Sequence, residues 1–137
     1  MEMAKMIKFR AWDNVTNIYR KVLGIKFYPD DTIEDVKVGG FQRKGAITPD
    51  KLVIEQFTGL KDVNGNDIYE GDIIASKPNE LTFEPLKIGV VKRSKINAGW
   101  SYRTATDEYN IWTSGKYRTY EIIGNVHANP ELLEADK

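Results

Sequence analysis

Apolar residues recur at every second position along most of this chain, and that period is what most constrains its fold. In the first periodic segment Ile7, Phe9 and Ala11 fall on one side, with Lys8, Arg10 and Trp12 on the other. Such alternation builds a strand with one buried and one open face. Asp13-Asn14 signals a turn, and Asn17 to Tyr28 reads as a returning strand broken near Gly24. Lys51–Thr58 is a strand candidate with apolar residues on both faces, as a central strand has, and Asp72–Ser76, Lys87–Arg93, Trp100–Thr106 and Tyr117–Val126 complete the strands. Residues 29–35 carry four acids and read as a loop or a solvated helical turn. Asn64-Gly65 is the strongest hairpin signal, because a two-residue turn of the favoured hand needs positive φ at both central positions; lying between Phe57–Leu60 and Ile68-Tyr69, it equally fits a longer loop. The one helical signal is C-terminal: Asn129 as N-cap, Pro130 at the first position, Glu131 at the positive end of the dipole. Leu132 and Leu133 would anchor that turn on a sheet. Many short strands with glycine-rich turns predict an all-β protein, a small sandwich or barrel.

Composition removes whole classes of function. The 137 residues hold no cysteine and one histidine, His127. Disulfide scaffolds, thiol nucleophiles, iron–sulfur clusters and cysteine-based zinc sites are excluded, as is a two-histidine zinc site. Twenty basic residues balance twenty acidic ones. Binding nucleic acid through bulk charge is therefore disfavoured. No apolar run reaches the roughly 18–20 residues of a membrane span. The first ten residues lack the apolar centre of a signal peptide, so a cytoplasmic location is expected. The length suits one domain, 1–137, with 1–5 as a loose leader and 28–50 as a variable loop region.

Three blocks carry a family resemblance. The first is Ile7-Lys8-Phe9-Arg10-Ala11-Trp12-Asp13. The second runs from Gln56-Phe57-Thr58-Gly59-Leu60-Lys61-Asp62 through Asn64-Gly65 to Ile68-Tyr69-Glu70-Gly71-Asp72-Ile73-Ile74. The third is Ile122 to Leu133, containing Gly124-Asn125 and His127. Together they resemble the YopX family of phage and prophage proteins. The resemblance implies a largely β protein with an SH3-like barrel and a temperate-phage or prophage origin. It implies no established activity, cofactor or catalytic residue. The motif residues it singles out are Trp12, Asp13, Thr58, Gly59, Leu60, Asp62, Gly65, Tyr69, Glu70, Gly71, Asp72, Gly124 and Asn125. Segments 28–50 and 77–118 match no fixed pattern.

Candidate chemistry is sparse. The loop Asp62 to Asp67 invites a calcium reading, but an EF-hand needs Gly at its sixth position and Glu at its twelfth, where this chain has Asp67 and Ile73. Turn chemistry explains it better. Glu70 and Asp72 are two apart and would share a strand face, as paired carboxylates for acid–base work or magnesium would. A solvent-facing bend is the competing reading. Trp12 is either an aromatic anchor for a ligand or a core residue, with Asp13 closing an Asx turn. His127 has no nucleophile or acid beside it in a recognisable motif. Between Lys87 and Arg118, seven cations stand against two acids, with Trp100, Tyr102, Tyr109, Trp112 and Tyr117 interleaved. Aromatic platforms in a basic groove bind single-stranded nucleic acid, and Lys92, Arg93, Lys95, Trp100, Tyr102 and Arg103 are the residues that would do so. Alternation in ordinary strands produces the same pattern.

The sequence thus predicts an SH3-like barrel with an added N-terminal β-hairpin and a short C-terminal helix. The barrel strands would follow Gly71-Asp72 and run from Lys87 to Val126. The leading function is a non-enzymatic protein-interaction module with no cofactor or metal, its partner another protein or a second copy in a homo-oligomer. Nucleic-acid binding through 87–118 is one alternative. A metal-assisted hydrolase using Asp62, Asp67, Glu70 and Asp72 is the other.

Overall fold

The period of two is realised as ten strands in a computed structural model that describes residues 8–39, 49–79, 85–95, 98–111 and 118–134. The expected leader 1–5, most of 40–50, and Trp112, Lys116 and Tyr117 lie outside the described residues. The chain gathers into two compact units, Met1–Phe57 and Thr58–Lys137.

The first unit holds β1 (Phe9–Asp13), β2 (Ile18–Phe27), β3 (Ile33–Val38), a 3-10 turn (Pro49–Lys51) and the start of β4 (Leu52–Lys61). Its strand order is β3-β2-β1-β4, antiparallel throughout. The expected N-terminal hairpin is β1–β2, with Ala11 opposite Arg20 and Trp12 opposite Tyr19. The break expected near Gly24 is a register shift between Val22 and Gly24. One correction falls here. The segment 28–50 is not all loop, because β3 occupies 33–38. Its acids Glu34 and Asp35 obscure the strand in the sequence, yet Val36 is fully buried and packs with Ala11 and Leu52. Ile25, Ile33, Val38 and Ile54 complete that small core.

The second unit begins with the end of β4, which pairs with β5 (Asp67–Tyr69). Then come β6 (Asp72–Pro78), β7 (Lys87–Arg93), β8 (Trp100–Arg103), β9 (Glu108–Asn110) and β10 (Arg118–Asn125). These last five form one antiparallel sheet, ordered β10-β6-β7-β8-β9. Ile68, Ile74, Val91, Tyr102, Ile111 and Tyr120 form its core, flanked by Leu60, Trp100, Tyr109 and Ile122.

Two further expectations are corrected. The barrel is not closed: among the described residues β9 pairs only with β8 and β10 only with β6, so the sheet keeps two edges. The C-terminal helix is a single 3-10 turn, Pro130–Leu133. Asn129 gives that turn no side-chain cap. Its side-chain oxygen instead accepts from the amide of Asn125 at 3.2 Å. One turn without a cap or a buried face cannot offset the cost of nucleating a longer helix. Leu132 and Leu133 are half-buried, and the turn lies against β7.

Candidate functional site

The family-motif residues form five local devices, and in each a polar side chain is turned onto the protein's own backbone. In the first unit, Trp12 is buried and meets Tyr19 edge-to-face, with ring centres 4.9 Å apart. It is a packing residue rather than an exposed anchor. Asp13 beside it is 1% exposed. Its Oδ1 accepts from the amides of Val15 (2.8 Å) and Thr16 (3.3 Å), closing the turn to β2. Its Oδ2 accepts from Arg20 Nε at 2.9 Å. Burial pushes this carboxyl upward, but the Arg20 guanidinium and the two turn amides outweigh it and hold the pKa at about 2. A carboxylate so engaged is held in its ionised form.

On the face of these strands that carries Trp12, Arg10 Nε and Tyr19 Oη both donate to Glu55 Oε1 at 2.9 Å. The Arg10 guanidinium also lies 3.9 Å from the centre of the Tyr19 ring. Arg10, Tyr19, Arg20 and Glu55 escaped the sequence reading. The available signal was register: Arg10 opposes Glu55 on β4, and Arg20 opposes Ala11, diagonal to Asp13 two residues on.

The second block's first device is at Thr58, within β4. Thr58 Oγ1 donates to the carbonyl of Ile68 at 2.7 Å and accepts from the amide of Leu60 at 3.1 Å. Gly59 between them, like Gly65 and Gly71, has φ between 84° and 89°, where a Cβ is strained. The β4–β5 connection is a five-residue loop, 62–66, rather than a two-residue turn. Buried Asp62 organises it. Oδ1 accepts from the amides of Asn64 (3.0 Å) and Asn66 (2.9 Å), and Oδ2 from the amide of Ile122 on β10 (3.1 Å).

Glu70 and Gly71 form a bend rather than a strand. Buried Asp72 closes it, its Oδ2 accepting from the amide of Tyr69 at 2.8 Å. Gly71 donates its N–H to Val91 and accepts at its carbonyl from Val126, so the bend is tied to β7 and to the end of β10. Asn125 Oδ1 accepts from the amides of His127 (3.0 Å) and Ala128 (2.9 Å). At Gly124 a Cβ would stand 2.7 Å from the side-chain oxygen of Asn129, so any other residue there must displace that side chain.

The acids of the hydrolase reading do not converge. Asp62 and Asp72 hold backbone amides, and Asp67 pairs with Lys61 at 2.7 Å. Among the described residues no group of three or more His, Asp or Glu side chains is arranged to hold a metal ion.

The basic–aromatic segment is sorted by the strand period onto two faces. Val91 opposes Tyr102 and Arg93 opposes Trp100, which puts these four on one face. Lys92 opposes Ser101 and Val90 opposes Arg103, on the other. Tyr102 is 1% exposed, and its hydroxyl donates to Ser76 Oγ at 3.0 Å. It is core, not a stacking platform, and this corrects the sequence reading. Trp100 is half-buried beneath the Arg93 guanidinium, 4.4 Å from its ring centre. Arg103 Nε binds Glu108 Oε1 at 3.0 Å across β8–β9. Burial acts to raise the Glu108 pKa, but Arg103 and the Lys95 amide lower it below the usual carboxylate range. The Lys95 side chain is exposed. Beside it lies an open depression of about 420 Å³ over the turn 103–108. Its lining mixes Lys95 and Arg103 with Asp107 and Glu108, so it offers no single sign of charge.

A fold of short antiparallel strands whose motif residues serve turns and bends defines an all-β protein. The sequence model of the YopX protein family matches residues 8–134, and the chain belongs to that family. Its fold is similar to the crystal structure of protein EF1440 from Enterococcus faecalis, at 27% identity and a TM-score of 0.59, over 95% of this chain and 99% of that one. Among curated proteins, none matches.

Proposed function

We propose that this chain is a non-enzymatic protein-interaction module, encoded by a phage or prophage and acting in the cytoplasm of the host bacterium. One observation carries the reading: β2 displays Ile18, Leu23 and Phe27 to solvent, with Val15 and Tyr28 exposed at its two ends. Leu23 and Phe27 are each 54% exposed. Large exposed apolar side chains gathered on one strand mark a surface that another molecule covers. The motif residues support the same reading, since their polar groups hold backbone. No helix among the described residues is long and apolar enough to cross a membrane.

The test compares the wild type with a Leu23→Ser, Phe27→Ser, Tyr28→Ser variant in cross-linked captures from host lysate, each captured protein then being purified and titrated. Direct binding by a purified partner, weakened at least tenfold in the variant, is the expected result. Equal binding by both chains would overturn the reading. So would salt-sensitive oligonucleotide binding abolished by Arg93→Glu and Arg103→Glu, which would favour nucleic acid.

A further inference from the structure

We propose that Asn64-Gly65 is a self-modification site, where the backbone nitrogen of Gly65 displaces ammonia from the Asn64 side-chain amide and water then leaves aspartate or isoaspartate. The folded loop sets the rate through two hydrogen bonds. This goes beyond the interaction-module reading and shares no residue with it, so the two stand or fall separately. The reaction needs the amide nitrogen of the residue after the asparagine, and a side chain on that residue crowds the attack. Of the nine asparagines only Asn64 precedes glycine. Asn14, Asn17, Asn110 and Asn125 precede β-branched Val or Ile, and Asn129 precedes Pro130, which has no amide proton. Asn64 and Gly65 are both exposed, and a Cβ built at Gly65 would meet nothing within 4 Å, so solvent reaches that side of the loop.

In the step itself, the Gly65 N–H gives its proton to solvent base, the nitrogen bonds to Asn64 Cγ, and the Cγ–Nδ2 bond breaks with loss of ammonia. One water opens the resulting cyclic imide at either carbonyl. Amide plus water becomes carboxylate plus ammonium, and no oxidant or further reactant enters. Both reacting groups are engaged in the fold. The nucleophile donates its N–H to the carbonyl of Asp62 at 3.0 Å. The leaving nitrogen, Asn64 Nδ2, donates to Glu121 Oε2 on β10 at 3.3 Å. An N–H held by a carbonyl gives up its proton less readily, so the reaction runs from openings of the loop. Conversion then changes the loop. A carboxylate at position 64 removes the donor to Glu121 and sets a like charge beside it. Isoaspartate also lengthens the backbone between the amides of Asn64 and Asn66, both of which Asp62 Oδ1 accepts.

The experiment incubates the full chain in neutral and in mildly alkaline buffer and follows every asparagine by peptide mapping that separates Asn, Asp and isoaspartate. The same chain held unfolded in guanidinium gives the unrestrained rate. In the folded chain Asn64 should convert before any other asparagine, faster in the alkaline buffer, and at least tenfold more slowly than in guanidinium. Glu121→Ala removes one of the two restraints at an exposed position and should speed conversion of the folded chain several-fold, with circular dichroism confirming that the variant is folded. In converted chains hydrogen exchange should quicken at the amides of Val63 and Ile122, which bond to the Tyr120 carbonyl and to Asp62 Oδ2. An Asn64 that stays intact in the folded chain after the unfolded chain has converted would overturn the site. So would conversion led by another asparagine. Equal rates in the folded and unfolded chains, or an unchanged rate in Glu121→Ala, would overturn the control by the loop.

Discussion

The two units solve one problem in different ways. Both are antiparallel sheets of short strands. The first buries less apolar bulk: Ala11, Val36 and Leu52 make its buried cluster, Trp12 is buried apart from it, and Asp13, Arg20 and Glu55 are buried in the same unit. The second buries Tyr102 and Tyr120 with three isoleucines and Val91, and Tyr102 stacks on Tyr109 at 5.5 Å. Its buried hydroxyls are linked rather than charged, Tyr102 to Ser76, with Arg118 Nε reaching the same Ser76 oxygen at 2.6 Å. A unit held by desolvated ion pairs depends on each partner being present, whereas a unit held by aromatic packing depends on volume. The exposed apolar side chains follow the same division. Among the described residues six of the eight large ones lie in the first unit, where the core is too small to use them, and two, Val63 and Leu86, in the second.

That contrast can be broken from either side. The largest effect is expected from Tyr102→Ala, which empties the centre of the second core and should cost about 3–5 kcal/mol in denaturant unfolding. Hydrogen exchange should place the loosening in β6–β8. Arg20→Ala acts on the first unit by a different route, leaving Asp13 buried without its cation, at about 3 kcal/mol. Adding Asp13→Asn to that variant should restore part of the loss, which a cavity at Tyr102 cannot do by any change of charge. Asp62→Ala strips the acceptor from three backbone amides of the second unit and should cost about 2 kcal/mol. Asp62→Asn should retain more of this stability, which thermal melts of the two variants would show.

The smallest effect sharpens the contrast by pH. Asp13 has a folded pKa of about 2, below its ordinary 3.8. The stability it contributes is fully present above pH about 4 and is lost as the pH falls through about 2, because the unfolded chain takes up the proton first. Acid titration followed by exchange should therefore loosen β1–β2 in the wild type. An Asp13→Asn variant should lose that component of the acid response.

Much of the fold was legible from residue order. Alternation located β1, β2, β6, β7, β8 and β10, and Asp13 and Asp62 announced turns because a short carboxylate reaches amides two to four residues on. Both β3 and β9 were obscured for a local reason. Ile33 to Val38 is short and carries two acids, and Glu108 to Asn110 is three residues long, so neither sets up a readable period. The candidate site was less legible still. Tyr102 reads as a platform beside cations until the register with β7 shows which face it occupies.

What the sequence determined by itself was the material of this protein: an all-β chain with turn-forming acids and glycines in the family's order, and no cysteine for thiol chemistry. These are properties of neighbouring residues, set by period, φ preference and side-chain reach. Only the tertiary structure decided which strands lie side by side, and with that which charges are buried in pairs and which edges stay open. Pairs such as Arg10 with Glu55, 45 positions apart, exist only once register is set. A shift of one residue would turn each of those side chains to the opposite face.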